Sequence, residues 1–195
     1  ANYVANQIIS ASKGQNFKNY AILYRTNAQS NALEFAFKRN GIPYRVIGGM
    51  RFFDRAEVKD MLAYLCVINN RADDLRLHRI INNPPRGLGP KTVDTADRLA
   101  QAEGMGLYNV ISDPYSYGPL EKAAGKLLQF TVMIEELAKL LEDGMTLPEF
   151  YEEVMVRSGY IAMLESKPTE ENKTRLENIR ELKSSINAYV QNAEA

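Results

Sequence analysis

The apolar positions of this chain follow two regimes. Between residues 20 and 47, short apolar runs flank one helical stripe, and from residue 54 onward only helical spacing is found. Tyr20-Ala21-Ile22-Leu23-Tyr24 is a continuous apolar run of strand length, the pattern of a strand buried on both faces. Asn27 or Ser30 is placed to cap a helix in which Leu33, Ala36 and Phe37 share a face, and Gly41 followed by Pro43 ends it. Tyr44 to Ile47 is a second strand candidate, closed by Gly48-Gly49. Strand, helix and strand at this spacing predict a parallel pair with a right-handed crossover. Ligands of such units sit beyond the carboxyl ends of the strands, here Arg25 to Asn27 and Gly48 to Met50.

The second regime opens at Asp54, which with Glu57 fits a capping box in which Asp replaces the usual Ser or Thr. Val58, Met61, Leu62, Leu65 and Ile68 then line one helical face. Further stripes run through Leu120, Ala124, Leu127, Ile134, Leu137 and Leu141, through Leu147, Phe150, Tyr151 and Val154, and through Leu176, Ile179, Ile186 and Val190. Ser112 to Pro119 reads as a loop and Gly144 as a turn. The expected fold is mixed: a short α/β segment of strand, helix and strand, followed by a mainly α-helical domain.

One stretch breaks the helical pattern in an informative way. Pro85-Arg86-Gly87-Leu88-Gly89-Pro90-Lys91-Thr92-Val93 follows a helical run from Asp74 to Asn82 and precedes another from Thr92 to Glu103. Glycines at 87 and 89 allow positive φ and close approach of a ligand to main-chain amides, and Pro90 suits a first helical position. A helix start flanked by Arg86, Lys91 and Thr92 is an anion site in outline. From Leu75 to Val93 the chain carries Arg76, Arg79, Arg86, Lys91 and His78 and no acid, which predicts a local positive field. The pattern is that of a helix-hairpin-helix, which grips the sugar-phosphate backbone without reading bases. The plainer alternative is a surface turn between two helices.

Composition narrows the partners. Twenty-four Lys plus Arg balance 24 Asp plus Glu among 195 residues, so any nucleic-acid contact comes from a local patch. The 45% hydrophobic content suffices for ordinary cores. Cys66, the single cysteine, lies four after Leu62 in an apolar stripe, which predicts a core residue and no disulfide framework, in keeping with a reducing cytoplasm. No apolar run approaches the ~20 residues that span a bilayer, and no basic-then-apolar leader is present, so no membrane partner is expected. The chain opens and closes on helical patterns, which reads as a piece of something longer.

Catalytic groups are sparse. One His and one Cys cannot build a zinc site or a Cys-His pair within this chain, and no nucleophile elbow is found. Gly125-Lys126 has the look of a phosphate-loop lysine, but Leu127 stands where Ser or Thr is needed and no glycine lies five residues upstream of Gly125, so that reading is rejected. Asp73-Asp74 and Glu135-Glu136 read as helix caps or solvated faces. No catalytic residue and no metal ligand is therefore assigned. Arg25, Thr26, Asn27, Gln29 and Ser30, just past the first strand candidate, are either a clamp for phosphate and base or ordinary helix caps; spacing leaves both open.

Several strings resemble one family. Tyr24-Arg25-Thr26-Asn27-Ala28-Gln29-Ser30, Gly41-Ile42-Pro43-Tyr44 and Gly48-Gly49-Met50-Arg51-Phe52-Phe53-Asp54-Arg55, with Glu57, Lys59 and Asp60, are similar to the UvrD/PcrA/Rep group of superfamily 1 DNA helicases. Arg86-Gly87-Leu88-Gly89 resembles that group's GIG motif, and Arg175-Leu176-Glu177-Asn178 a later string, in family order across nearly the whole chain. The resemblance implies that residues 1–52 are part of the RecA-like motor domain 2A and residues 53–195 most of the helical domain 2B. It places Arg25 and Asn27 at single-stranded DNA, and Gly87, Leu88, Gly89 and Thr92 at the duplex ahead of the fork, where Arg86 and Lys91 join them from the anion-site reading above. Asn31 departs from the family, which usually has Arg there, and Leu88 stands for Ile.

The same resemblance implies a parent enzyme that couples ATP hydrolysis, with Mg, to 3'-to-5' movement on DNA during repair or replication in the cytoplasm. The ATP machinery would lie outside these residues, so this part is expected to bind neither ATP nor Mg. Repair proteins are expected partners of the helical domain. Two readings from other classes stand beside it: a free-standing helix-hairpin-helix DNA-binding module, and a helical adaptor for proteins.

Overall fold

A computed structural model of the chain describes residues 1–13, 16–25, 27–47 and 51–193. Two apolar cores organise them. The smaller forms where α1 (Asn2–Ser12) lies against α2 (Asn27–Arg39), burying Ala5, Ala36, Phe37 and Ile42, with Ile22, Leu33 and Tyr44 packed at its margin. The stripe read from Leu33, Ala36 and Phe37 is thus the face that packs.

The expected sheet does not form. Among the described residues there is no strand: the 20–24 and 44–47 runs exchange no main-chain hydrogen bond, and Leu23 and Ile47 are 99% and 82% exposed. The mixed α/β reading is therefore corrected to an all-helical description. The physical reason is that an apolar run signals burial, whereas a strand exists only through a hydrogen-bonded neighbour. Here the apolar face of α2 is already covered by α1 and Ile42, and among the described residues no main chain pairs with either run. Gly48, Gly49 and Met50, read as the close of the second strand, lie outside the described residues, as does Thr26.

The larger core surrounds α3 (Ala56–Asn69), which packs on α4 (Asp74–Ile80), α7 (Ala124–Glu142), α8 (Leu147–Arg157) and α10 (Glu170–Ala193). Val58, Met61, Tyr64 and Val67 are fully buried along α3. Each buried side chain of this size contributes on the order of 1.5 to 3 kcal/mol. From α7, Leu127, Phe130, Ile134 and Leu137 enter the same core, as do Phe150, Tyr151 and Val154 from α8. α5 (Pro90–Glu103) joins through Ala96 and Ala100 and packs on α6 (Leu107–Ser112), while α9 (Tyr160–Glu165) bridges α8 and α10. The segment read as a loop from Ser112 contains short 3-10 turns at Pro114–Ser116 and Gly118–Ala123, and Gly144 turns the chain after α7 with φ at 89°.

The expected capping box at Asp54 is also corrected. Arg55 is the N-cap of α3; Asp54 faces Arg51 and Lys59 instead, and Glu57 is buried against Asn178. A true capping box closes the start of α8, where the Glu149 carboxylate accepts from both the hydroxyl and the amide of Thr146.

Candidate nucleic-acid interface

The connection between α4 and α5 is a hairpin pinned from inside. Asn82 Oδ1 accepts from the amides of Arg86 and Leu88, at 2.8 and 3.1 Å, folding residues 82–88 around one side chain. Leu88 is 1% exposed and plugs the larger core. Gly87 takes φ 68°, a left-handed value that favours glycine. Gly89 is the N-cap of α5 at φ −69° and ψ 164°, so the positive φ that the sequence allowed at both glycines is used at one. A side chain at Gly89 would point into open space; one at Gly87 would lie 2.6 Å from Lys126 Nζ.

Arg86 lies beneath the hairpin. Its Nη1 donates to the carbonyls of Ile80 and Pro84, both at 3.0 Å, and its Nη2 donates to the Tyr64 hydroxyl at 2.7 Å and the Ser158 carbonyl at 2.8 Å. The guanidinium centre sits 5.2 Å from the Phe130 ring centroid. A planar fork with several donors suits this task, which a point-charge ammonium could not perform. The structure thus gives Arg86 a bracing position.

Pairing removes most of the expected positive field. Arg76 is paired with Asp73, Arg79 Nε with Asp60 Oδ1 at 2.6 Å, and His78 Nε2 meets Asp97 Oδ1 at 3.0 Å. Asp60, Asp73 and Asp97 lie outside the 75–93 window that looked free of acid, and the fold returns them to it. Asp60, 4% exposed, also accepts from Asn83 Nδ2 at 2.8 Å and the Tyr160 hydroxyl at 2.6 Å. Lys91 is exposed and has no carboxylate partner among the described residues.

What the hairpin presents outward is main chain. Among the described residues, the amides of Gly87, Gly89 and Lys91 have no acceptor, and the Thr92 hydroxyl has no partner. Lys126, brought from α7, donates to the Gly87 carbonyl at 3.2 Å. Sequence reasoning had no signal for this neighbour, because Gly125-Lys126 was weighed only as a phosphate loop.

The second candidate site lies at the start of α2. Arg25 is exposed, and its amide donates to Gln29 Oε1 at 2.9 Å. Asn27 is the first residue of α2, with its side chain outside the described residues. Ser30 is buried, not a cap, and accepts from Arg55 Nη2 at 3.0 Å. Asn31 is 1% exposed; its Nδ2 donates to Ser185 Oγ at 2.6 Å, and its Oδ1 has no partner among the described residues.

Between the two cores, Arg55 Nη1 donates to Asn178 Oδ1 at 2.7 Å, and Asn178 Nδ2 donates to Glu57 Oε1 at 2.6 Å. Glu34 accepts from the Phe52 amide at 3.1 Å and the Tyr44 hydroxyl at 3.0 Å. Burial and that carboxylate push the Tyr44 hydroxyl up to about 12. The strings around 24–30, 44, 52–57 and 178, distant along the chain, meet in this one junction. They contribute to how α2 is held against α3 and α10.

The hairpin between α4 and α5 is thus a glycine-containing turn whose amides at Gly87, Gly89 and Lys91 have no acceptor among the described residues, and the comparison with known families gives it a context. Residues 1–195 match the UvrD-like helicase C-terminal domain along their whole length, and the chain belongs to that family. Among curated proteins, the ATP-dependent DNA helicase PcrA of Staphylococcus aureus strain Mu50 is 38% identical over 193 residues, which is 98% of this chain and 26% of that protein. The protein of the same name in Staphylococcus epidermidis strain RP62A has the same identity and coverage. The chain spans about a quarter of the length of these relatives.

Proposed function

We propose that this chain is the DNA-gripping part of an ATP-dependent 3'-to-5' DNA helicase acting in repair or replication. The observation that carries the reading is the set of unspent donors at the hairpin: the amides of Gly87, Gly89 and Lys91, the Thr92 hydroxyl and the Lys91 ammonium, in a chain of the helicase family. Main-chain donors around a helix start suit phosphate oxygens. In this reading Gly87, Leu88 and Gly89 act through their main chain, Lys91 and Thr92 through their side chains, and Arg86 by bracing the turn. Arg25 and Asn27 contact single-stranded DNA at the start of α2.

Residues 1–52 are assigned to motor domain 2A and residues 53–195 to domain 2B, a division that follows the two separate cores except that Phe52 belongs to the larger one. ATP and Mg2+ enter as requirements of the longer enzyme. The donor set of this chain does not fit them, since no triphosphate-binding loop is present and no group of three or more His, Cys, Asp or Glu among the described residues could hold a metal. No step is derived through them. Repair proteins remain proposed partners of the helical part. Among the described residues, no helix is long and apolar enough to cross a membrane, and the proposed setting is the cytoplasm.

A free-standing DNA-binding module is disfavoured because residues 1–195 match the UvrD-like helicase C-terminal domain along their whole length and span about a quarter of the curated relatives. The test is duplex binding across a salt titration. With two to four phosphate contacts, log affinity against log salt should fall with a slope of roughly 2 to 4. Thr92→Ala should weaken binding modestly. Gly89→Val, which adds a branched side chain in open space at the hairpin, should weaken it severely while circular dichroism stays unchanged. A folded Gly89→Val protein that binds duplex as the parent does would reduce the hairpin to a turn.

A further inference from the structure

We propose that Lys126, on α7, is a phosphate-binding cation of the hairpin, a role that rests on the duplex-gripping reading above. Its Nζ lies 3.2 Å from the Gly87 carbonyl, the contact that brings it across 39 positions of sequence to the hairpin. An ammonium has three N–H donors. One is directed to that carbonyl, and no carboxylate among the described residues takes the others. Gly87 carries both this carbonyl and an amide that has no acceptor among the described residues, which puts two kinds of donor, an amide and an ammonium, at the same residue.

The charge distribution makes the contribution specific. Arg76, Arg79, His78 and Arg86 are engaged by Asp73, Asp60, Asp97 and internal carbonyls, which leaves Lys91 as the one cation of the 75–93 segment without such a partner among the described residues. Lys126 supplies a second from a different helix. The absence of a side chain at residue 87 has a part in this, because a Cβ there would stand 2.6 Å from Nζ and displace it. The occupant with the matching chemistry is a phosphodiester, which offers oxygens to an amide and an ammonium together.

The experiment compares the parent chain with Lys126→Met, Lys126→Arg, Lys139→Met and Gly89→Val, measuring anisotropy of a labelled random-sequence duplex at several salt concentrations. Lys139 lies on the same helix about 20 Å further along, beyond a Debye length of about 10 Å at 0.1 M salt. Lys126→Met should lower the salt slope by about 0.9, so that its deficit against the parent shrinks roughly threefold between about 50 and 200 mM salt. Lys126→Arg should restore the parent slope, and Lys139→Met should leave it unchanged. A parent slope in Lys126→Met, with or without a lower melting temperature, overturns the proposal and leaves Lys126 a brace of Gly87. Equal loss of slope in Lys126→Met and Lys139→Met overturns it too, since the effect would then be general charge. If Gly89→Val binds as the parent does, the duplex-gripping reading itself fails; if Gly89→Val fails to bind and Lys126→Met keeps the parent slope, only the role of Lys126 is lost.

Discussion

Arg86 Nη2 donates to the Tyr64 hydroxyl at 2.7 Å, and that hydroxyl donates in turn to the Asn83 carbonyl at 2.7 Å. The relay ties the hairpin to α3 through a phenol that burial pushes up to about 12. Arg86→Met would leave the carbonyls of Ile80, Pro84 and Ser158 without this donor. The expected loss is on the order of 2 to 4 kcal/mol, from several hydrogen bonds to one charged group, read as a lower melting temperature. The salt slope of duplex binding should stay that of the parent in the folded fraction, opposite to the pattern for Lys126.

Asn82 gives a cleaner separation of shape from charge. Asn82→Ala removes the acceptor shared by the Arg86 and Leu88 amides and should cost about 1 to 3 kcal/mol, with weaker duplex binding. Asn82→Asp keeps an acceptor, so its melting temperature should stay close to that of the parent. Its added negative charge should still weaken duplex binding. A rise in affinity for Asn82→Asp would contradict a phosphate site at this hairpin.

How much of this was legible beforehand differs by element. The stripes at 58–68, 127–137 and 150–154 announced packing faces, because helical periodicity records burial directly. The hairpin was legible for the same kind of reason: Pro90 fits N1, Gly87 needs a left-handed φ, and both constraints are local. The sheet was misread because the apolar runs at 20–24 and 44–47 show a demand for cover without naming what provides it. The positive field was misread because charge partners are tertiary: Asp60 on α3 and Asp97 on α5 reach Arg79 and His78 on α4 only once the chain has folded. Lys126 and Asn82 were missed on similar grounds, since neither type nor spacing marks a side chain that reaches a hairpin carbonyl or folds a turn around itself.

At the junction of the two cores, Arg55→Met should cost about 1.5 to 3 kcal/mol by withdrawing a charged donor from buried Asn178. Paired with Asn178→Ala in a double-mutant cycle, it should show non-additivity of about 0.5 to 3 kcal/mol. Strict additivity in urea unfolding would mean that the two residues act independently.

The acid limb of stability should depend on Glu135. Hydrogen bonding from the Arg71 guanidinium, at 3.0 Å to each carboxylate oxygen, holds this carboxyl below the usual range, with the Tyr108 hydroxyl at 2.6 Å adding to it against the cost of burial. A depressed folded value stabilises the fold above the unfolded carboxylate value of about 4.3 and loses that stabilisation as pH falls through the folded value. The Glu135 side chain is 57% exposed, so the effect is screened to under about 1 kcal/mol. Glu135→Gln should therefore flatten, slightly but measurably, the decline in urea midpoint between about pH 5 and pH 3. An acid limb identical to that of the parent would show the pair to be without thermodynamic weight.

The outward face of the hairpin carries a mechanical implication. On the proposed duplex-gripping reading, amide hydrogens and ammonium groups meet phosphates, which recur along a strand with the same chemistry whatever bases they carry. Moving such a grip by one nucleotide restores the same set of contacts, so the energy profile along the duplex repeats with every step and has no preferred resting place. A surface of this kind holds without anchoring: directionality would have to be imposed on it from outside, by whatever pulls the strand.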